Sequence, residues 1–200
     1  MGNMTGHRDS PARMGERIPP GQYVTAKMPV MNLSYAPKLS IPDWTLSVTG
    51  LVQHEVTLNW QAFLALVGTS EVVDFHCVTQ WSRLGVAWEG VAASTVLDLA
   101  SPKAEARYVM LRGSDGYTTN LDVETLRDPE VLFAYKMDGK PLEPSHGYPV
   151  RLVVPARYGW KSAKWVTTLE LIADNRPGFW EMNGYHMRGN PWHEERFSHG

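Results

Sequence analysis

Asp74-Phe75-His76-Cys77-Val78-Thr79-Gln80-Trp81-Ser82 holds the only cysteine of a 200-residue chain. One thiol excludes an internal disulfide and any cysteine-rich zinc or iron–sulfur site. Three uses remain for it: a small core residue, a nucleophile, or one soft ligand to a metal whose other ligands come from a cofactor. The run Val72 to Val78 reads as a β-strand. Adjacent side chains of a strand point to opposite faces, so His76 is expected to face away from Cys77.

Outward from this strand, short extended segments dominate. Trp44 to Gly50 alternates apolar and polar residues, the period of a half-buried strand, with Glu55–Leu58 as its hairpin partner. Asn59 is an N-cap for a short helix from Trp60 to Val67. Trp88–Val91 is a brief strand, and Ser94 caps a small helix through Leu99. Further strands are expected at Arg107–Arg112, Tyr117–Leu121, Val131–Met137 and Pro149–Val154, with a helix at Val123–Leu126. Gly113–Gly116 and Asp138–Pro141 are turns by composition. In the last strand, Lys164–Ile172, strict alternation puts Trp165, Thr167, Leu169 and Leu171 on one face. These elements predict an α+β fold, mostly β with mixed, mainly antiparallel sheets and short helices.

Residues 1–17 are expected to form a mobile arm and residues 18–200 a single domain, whose first part (to about residue 43) wraps extended over the rest. Tyr23, Val24, Met28, Val30 and Tyr35 are its expected apolar anchors. A net charge of −2 gives no general attraction to nucleic acid. No stretch approaches the twenty apolar residues of a membrane span, so no membrane insertion is expected. The first residues show neither a secretory h-region nor a twin-arginine pair. A cytoplasmic, reducing setting is therefore expected, and a periplasmic one only if an export leader has been removed.

The second informative stretch runs from His146-Gly147-Tyr148-Pro149-Val150-Arg151 to Pro155-Ala156-Arg157-Tyr158-Gly159-Trp160-Lys161-Ser162-Ala163-Lys164-Trp165. Cations interleaved with Gly, Ser and aromatics supply guanidinium, ammonium, hydroxyl and backbone N–H donors, the ingredients of an anion cradle. A strand after Arg151 lets the chain fold back, so Arg151 and Lys164 can meet one anion. The plain alternative is a solvated basic loop lying over Trp160 and Trp165.

With Trp88-Glu89-Gly90-Val91 and Gly116-Tyr117-Thr118-Thr119-Asn120-Leu121, these two stretches resemble the sulfite oxidase superfamily of molybdopterin-dependent oxidoreductases. The likeness is closer to its small prokaryotic branch, which includes the methionine-sulfoxide reductase catalytic subunit, and runs from about Gly21 to Phe197. The resemblance implies molybdenum and molybdopterin as cofactors, with Cys77 as the protein thiolate on the metal. It implies Ser114, His146, Arg151, Ser162 and Lys164 as cofactor contacts, and Lys161 as a cation facing the substrate. Asn32 and Tyr35 match positions that close over the pterin. Lys161 stands where true sulfite oxidases have arginine and so lacks a bidentate fork, which argues against sulfite as substrate.

The activity so implied is two-electron oxygen-atom transfer on a small-molecule substrate. The sequence has no haem, flavin or iron–sulfur motif, so a separate electron partner is expected, a cytochrome, quinone or redox protein. Rival readings are a non-catalytic molybdopterin-binding module and a cysteine-nucleophile hydrolase that uses Cys77 with a histidine base. Arg83 either reaches the pocket or pairs with an acid, and Tyr117 and Asn120 either line the pocket or pack a turn. His186 and His193 lack a third ligand for zinc, so the run 183–193 is expected to form an aromatic clasp over the surface.

Overall fold

In the computed structural model, residues 17–33 and 36–198 are described. The arm expected over 1–17 lies outside them except for Arg17, and so does Tyr35. Arg17 is tied down rather than loose. Its guanidinium forks onto Asp74, Nε to Oδ2 at 2.7 Å and Nη2 to Oδ1 at 2.5 Å.

Two sheets carry the domain. The first contains β1 (Tyr23–Val24), β4 (Gly68–His76), β5 (Trp81–Ala92), β8 (Leu132–Met137), β9 (Lys140–Pro141) and β10 (Arg151–Val153). The second runs in the order β3 (Val56–Asn59), β2 (Thr45–Gly50), β11 (Val166–Ile172), β6 (Tyr108–Gly113) and β7 (Thr118–Asp122). Pairing is antiparallel except for β1 on β5 and β2 on β11. The expected mixed, mainly antiparallel β fold with short helices is what forms. Those helices are α1 (Trp60–Leu64), α2 (Ala93–Ala100), α3 (Val123–Leu126) and α4 (Phe179–Met182).

Local chemistry explains most boundaries. Asn59 Oδ1 accepts from Ala62 N at 2.9 Å to start α1, and Asp122 does the same for Thr125 N at 2.6 Å to start α3. Such caps are each worth about 1 kcal/mol. Ser94, by contrast, lies inside α2, and the N-cap residue Ala92 makes no side-chain cap. β5 is far longer than Trp88–Val91 because it pairs along its length with β4 and then with β8. β11 departs from strict alternation. A bulge between Val166 and Thr168 turns Val166 inward with Leu169 and Leu171, and all three are buried.

One large apolar cluster joins Trp44, Leu46, Val48, Phe63, Leu97, Leu111, Phe133 and Leu169. A smaller cluster gathers Phe75, Cys77, Trp81, Trp88, Ala134 and Val153. The N-terminal segment is held mainly by its backbone, with Tyr23 N on Gln80 O and Thr25 N on Ser82 O, both at 2.9 Å. Tyr23, Val24 and Val30 are exposed, so they are not the anchors their apolarity suggests. Met28 alone of the described group packs inward, against the smaller cluster.

Candidate active site

β4 ends at His76, so Cys77 sits not within the strand but at the first position of a turn to β5. Gln80 N bonds Cys77 O at 3.1 Å, Cys77 N bonds Trp81 O at 2.8 Å, and Gln80 takes a left-handed φ of 70°. The turn delivers the sulfur into a cleft. Phe75, Cys77, Thr79 and Trp81 line it, together with the segment from Gly159 to Trp165, without Lys161, and with His146 and Arg151. Met28, Pro29, Met31, Asn32 and Leu33 cross over it, and Asp115, Tyr117, Trp180 and Tyr185 complete the lining.

The cleft that holds the sulfur is also lined by two cations, Arg151 and Lys164. Arg151 is buried, donating Nη1 to His146 O and Nη2 to Ser162 O, each at 3.2 Å. Its guanidinium also lies 5.3 Å from the ring centres of both Phe75 and Trp88. Burial lowers its pKa to about 10, which leaves it charged at neutral pH. Lys164 Nζ donates to Met31 O and Ser145 O at 3.0 Å and to Asn32 Oδ1. Burial, and secondly the Arg151 charge, lower its pKa to about 7. Gly147 brings the two cations together. Its φ of 111° suits glycine, and a Cβ there would lie 2.9 Å from Arg151 Cβ and 3.3 Å from Lys164 Cβ.

Among the described residues, the polar partners of Arg151 and Lys164 are neutral oxygens, not carboxylates. Ser162 joins them, its Oγ accepting from Val154 N at 3.0 Å. His146 Nε2 meets Met28 O at 2.9 Å, while its buried Nδ1 makes no hydrogen bond and lies 3.5 Å from Glu143 Oε2. A cleft lined by one soft sulfur and by charged donors that hydrogen-bond only to neutral oxygens, with Asp115 the one carboxylate beside Lys164 among the described residues of its lining, fits a metal-bearing organic cofactor with an anionic tail.

Several expected residues lie elsewhere. Lys161 does not face the cleft. It is fully buried, with Nζ 2.5 Å from Glu181 Oε1 and 2.8 and 2.9 Å from Asn120 Oδ1 and O. Burial lowers its pKa to about 8, opposed by Glu181. Ser114 is exposed, and its neighbour Asp115 lines the cleft instead. Asn120 supports Lys161 from outside the lining. Tyr117 does line the cleft, donating its hydroxyl to Trp160 O at 2.6 Å. Arg83 pairs with Asp138.

His76 turns away from the cleft. Its Nδ1 is 2.8 Å from Ser82 Oγ, and its ring meets the edge of Trp192. Burial lowers its pKa to about 4, against a raising influence from Asp74. It is therefore neutral at neutral pH but cannot serve Cys77 as a base from that side.

The C-terminal clasp does more than cover a surface. Trp180 stacks on Tyr185 with ring centres 4.8 Å apart, Tyr185 meets the edge of Trp160 at 5.0 Å, and all three line the cleft. Arg196 Nη1 reaches Val78 O at 2.5 Å, securing the cysteine turn. Among the described residues no cluster of three or more His, Cys, Asp and Glu is placed to hold a metal, His186 and His193 included. Sequence reasoning missed Glu181, Thr79, Trp180 and the site role of Tyr185. Only the aromatic density after Pro177 hinted at any of them.

The family model of the oxidoreductase molybdopterin binding domain matches residues 33–180. The chain belongs to this family. A Bacillus subtilis (strain 168) relative, the uncharacterized oxidoreductase YuiH, is 44% identical over 183 residues, covering 91% of this chain and 92% of the relative. The Campylobacter jejuni protein-methionine-sulfoxide reductase catalytic subunit MsrP is 27% identical over 187 residues, or 80% of this chain and 61% of its own length. Among solved structures, the sulfane dehydrogenase SoxCD from Paracoccus pantotrophus superposes with a TM-score of 0.64 at 25% identity, over 70% of this chain and 40% of that one. The chain thus spans less than two thirds of the last two.

This molybdopterin-binding oxidoreductase accordingly has the sulfite oxidase-like fold that its sequence resembles, and it uses molybdenum and molybdopterin. Among its described residues no helix is long and apolar enough to cross a membrane.

Proposed function

We propose that this oxidoreductase catalyses two-electron oxygen-atom transfer on a small substrate, using Cys77 as the protein ligand to molybdenum. The observation that carries this reading is that Cys77, Arg151 and Lys164 line one cleft. A thiolate is the soft ligand a redox metal takes, and cations hydrogen-bonded only to neutral oxygens suit a phosphate. When bound, the cofactor supplies the two-electron chemistry.

The chain's own residues divide the remaining work. Arg151, Lys164 and Ser162 hold the anionic tail, and His146 Nδ1 offers a further polar contact. Asn32 closes over that end through Lys164. Trp160, Trp180 and Tyr185 give the substrate an aromatic wall and exclude water from it. Lys161 keeps its charge inside the protein with Glu181, so it is not the substrate's cation. A substrate that needs no anion clamp suits this mouth better than an oxyanion. A separate cytochrome, quinone or redox protein completes the electron balance, and a reducing, cytoplasmic setting suits the lone thiol.

The test is metal analysis by mass spectrometry, with pterin fluorescence from the same sample, on protein made in a molybdopterin-producing host. Near-stoichiometric molybdenum with pterin is expected in the parent. Cys77→Ala should lose the metal and keep much of the pterin. Full molybdenum in Cys77→Ala would remove the sulfur from the metal. Neither metal nor pterin in the parent would return Cys77 to the core.

A further inference from the structure

We infer that Thr79 is a positioning residue for the cleft sulfur, donating its hydroxyl hydrogen to the Cys77 thiolate and tempering the electron donation of that sulfur to the metal. The inference rests on the assignment of Cys77 as metal ligand. Cys77 Sγ and Thr79 Oγ1 lie 3.2 Å apart. In a thiol either atom can donate, but a ligating thiolate has no proton, so chemistry fixes the direction from oxygen to sulfur. Among the described residues, Cys77 Sγ is the one hydrogen-bond partner of the Thr79 hydroxyl.

The turn keeps this pair together. Besides its internal bonds, Gln22 Nε2 donates to Cys77 O at 3.0 Å and Arg196 Nη1 to Val78 O at 2.5 Å. Residues from both ends of the described chain thus fix the backbone between the sulfur and the hydroxyl. Arg196 is itself held against the Tyr158 ring, 5.0 Å from its centre. A loop so braced has little freedom to move Thr79 off the sulfur.

Hydrogen bonding around a ligating cysteine sulfur tunes redox potential, and outer partners orient and tune the ligands they touch. A donor to sulfur stabilises its lone pairs and weakens their donation, which favours the reduced metal. Its loss should lower the molybdenum potential and move the sulfur-to-molybdenum charge-transfer band to longer wavelength. Thr79 is exposed and lines the cleft, so Thr79→Val keeps its shape without disturbing a core.

The experiment is a potentiometric titration of the holoenzyme followed by electron paramagnetic resonance, with absorption spectra of parent, Thr79→Val and Thr79→Ser. Both readouts are taken per molybdenum, so partial metal loss does not mask them. Thr79→Val should show the lower potential and the red-shifted band, and Thr79→Ser should match the parent. A parental potential and band in Thr79→Val would overturn the inference. So would a Thr79→Ser protein that shifts as far as Thr79→Val. If the parental band does not respond to Cys77→Ser, the ligand assignment itself has failed, and this inference with it.

Discussion

Lys161 and Lys164 stand three residues apart, yet the fold treats their charges in opposite ways. Lys161 is enclosed and given a carboxylate, Glu181 Oε1, which also accepts from Trp160 Nε1 at 2.9 Å and Thr119 Oγ1 at 3.1 Å. Lys164 is turned into the cleft and given only carbonyl and amide oxygens. The first lysine is structural, holding α4 and the Trp160 wall together. The second is left able to meet an incoming anion. Charge placement, rather than charge count, separates the proposed binding cation from the bracing one.

The largest expected effect is on the bracing pair. Glu181→Gln leaves Lys161 buried without its counter-charge, and breaking such a pair costs about 3–5 kcal/mol. Urea denaturation should show this loss, and Lys161→Met combined with Glu181→Gln should recover much of it. A loss under about 1 kcal/mol, the scale of a surface pair, would mean that Lys161 is not held as argued.

A smaller effect belongs to the proposed binding cation, Lys164. Hydrogen bonds to charged groups contribute about 1.5–3 kcal/mol, so Lys164→Met should weaken anion binding by about 10–100-fold. Calorimetry of inorganic phosphate on the cofactor-free protein reads this directly. Lys161→Met, by the same measurement, should change it less than about threefold. Equal losses in the two variants would erase the distinction between the lysines.

How much of this was legible beforehand follows the range of the interactions. Asn59 and Asp122 cap helices through neighbours three residues away, and local reading found both helices. Ser94 looks like a cap by the same logic, but the chain enters α2 directly from β5 and leaves no room for one. The bulge that turns Val166 inward arises from pairing with β6, information carried by another strand. Cys77 stood out as the only thiol, and the basic loop stood out by composition. The direction of Lys161 did not, because its partners Asn120 and Glu181 converge on it only in the folded chain. Resemblance to a family marked Lys161 as a substrate cation, and one buried carboxylate reversed that reading. Thr79 was equally hidden: strand alternation was extended through Cys77, whereas the turn begins there.

The smallest effect is also the sharpest test of the cleft lysine. Lys164 has its pKa lowered from 10.5 to about 7. In the cofactor-free protein the unfolded state therefore binds more protons between these values, and stability should rise with pH across that window. Below about pH 7 both states are protonated and the penalty is fully present. Binding reverses the preference, because an anion favours the charged lysine. Phosphate affinity should fall about tenfold from pH 6 to pH 8 relative to Lys164→Met, as the protonated fraction falls. Referring the curve to that variant cancels the titration of phosphate itself. Calorimetry at pH 7 in buffers of different ionisation heat should register about half a proton more taken up on binding by the parent than by Lys164→Met. No extra uptake, with parallel pH curves for parent and variant, would mean that Lys164 is already charged before the anion arrives. The cleft would then bind through a standing charge, and the carbonyls of Met31 and Ser145 would be its full solvation rather than a stand-in for phosphate.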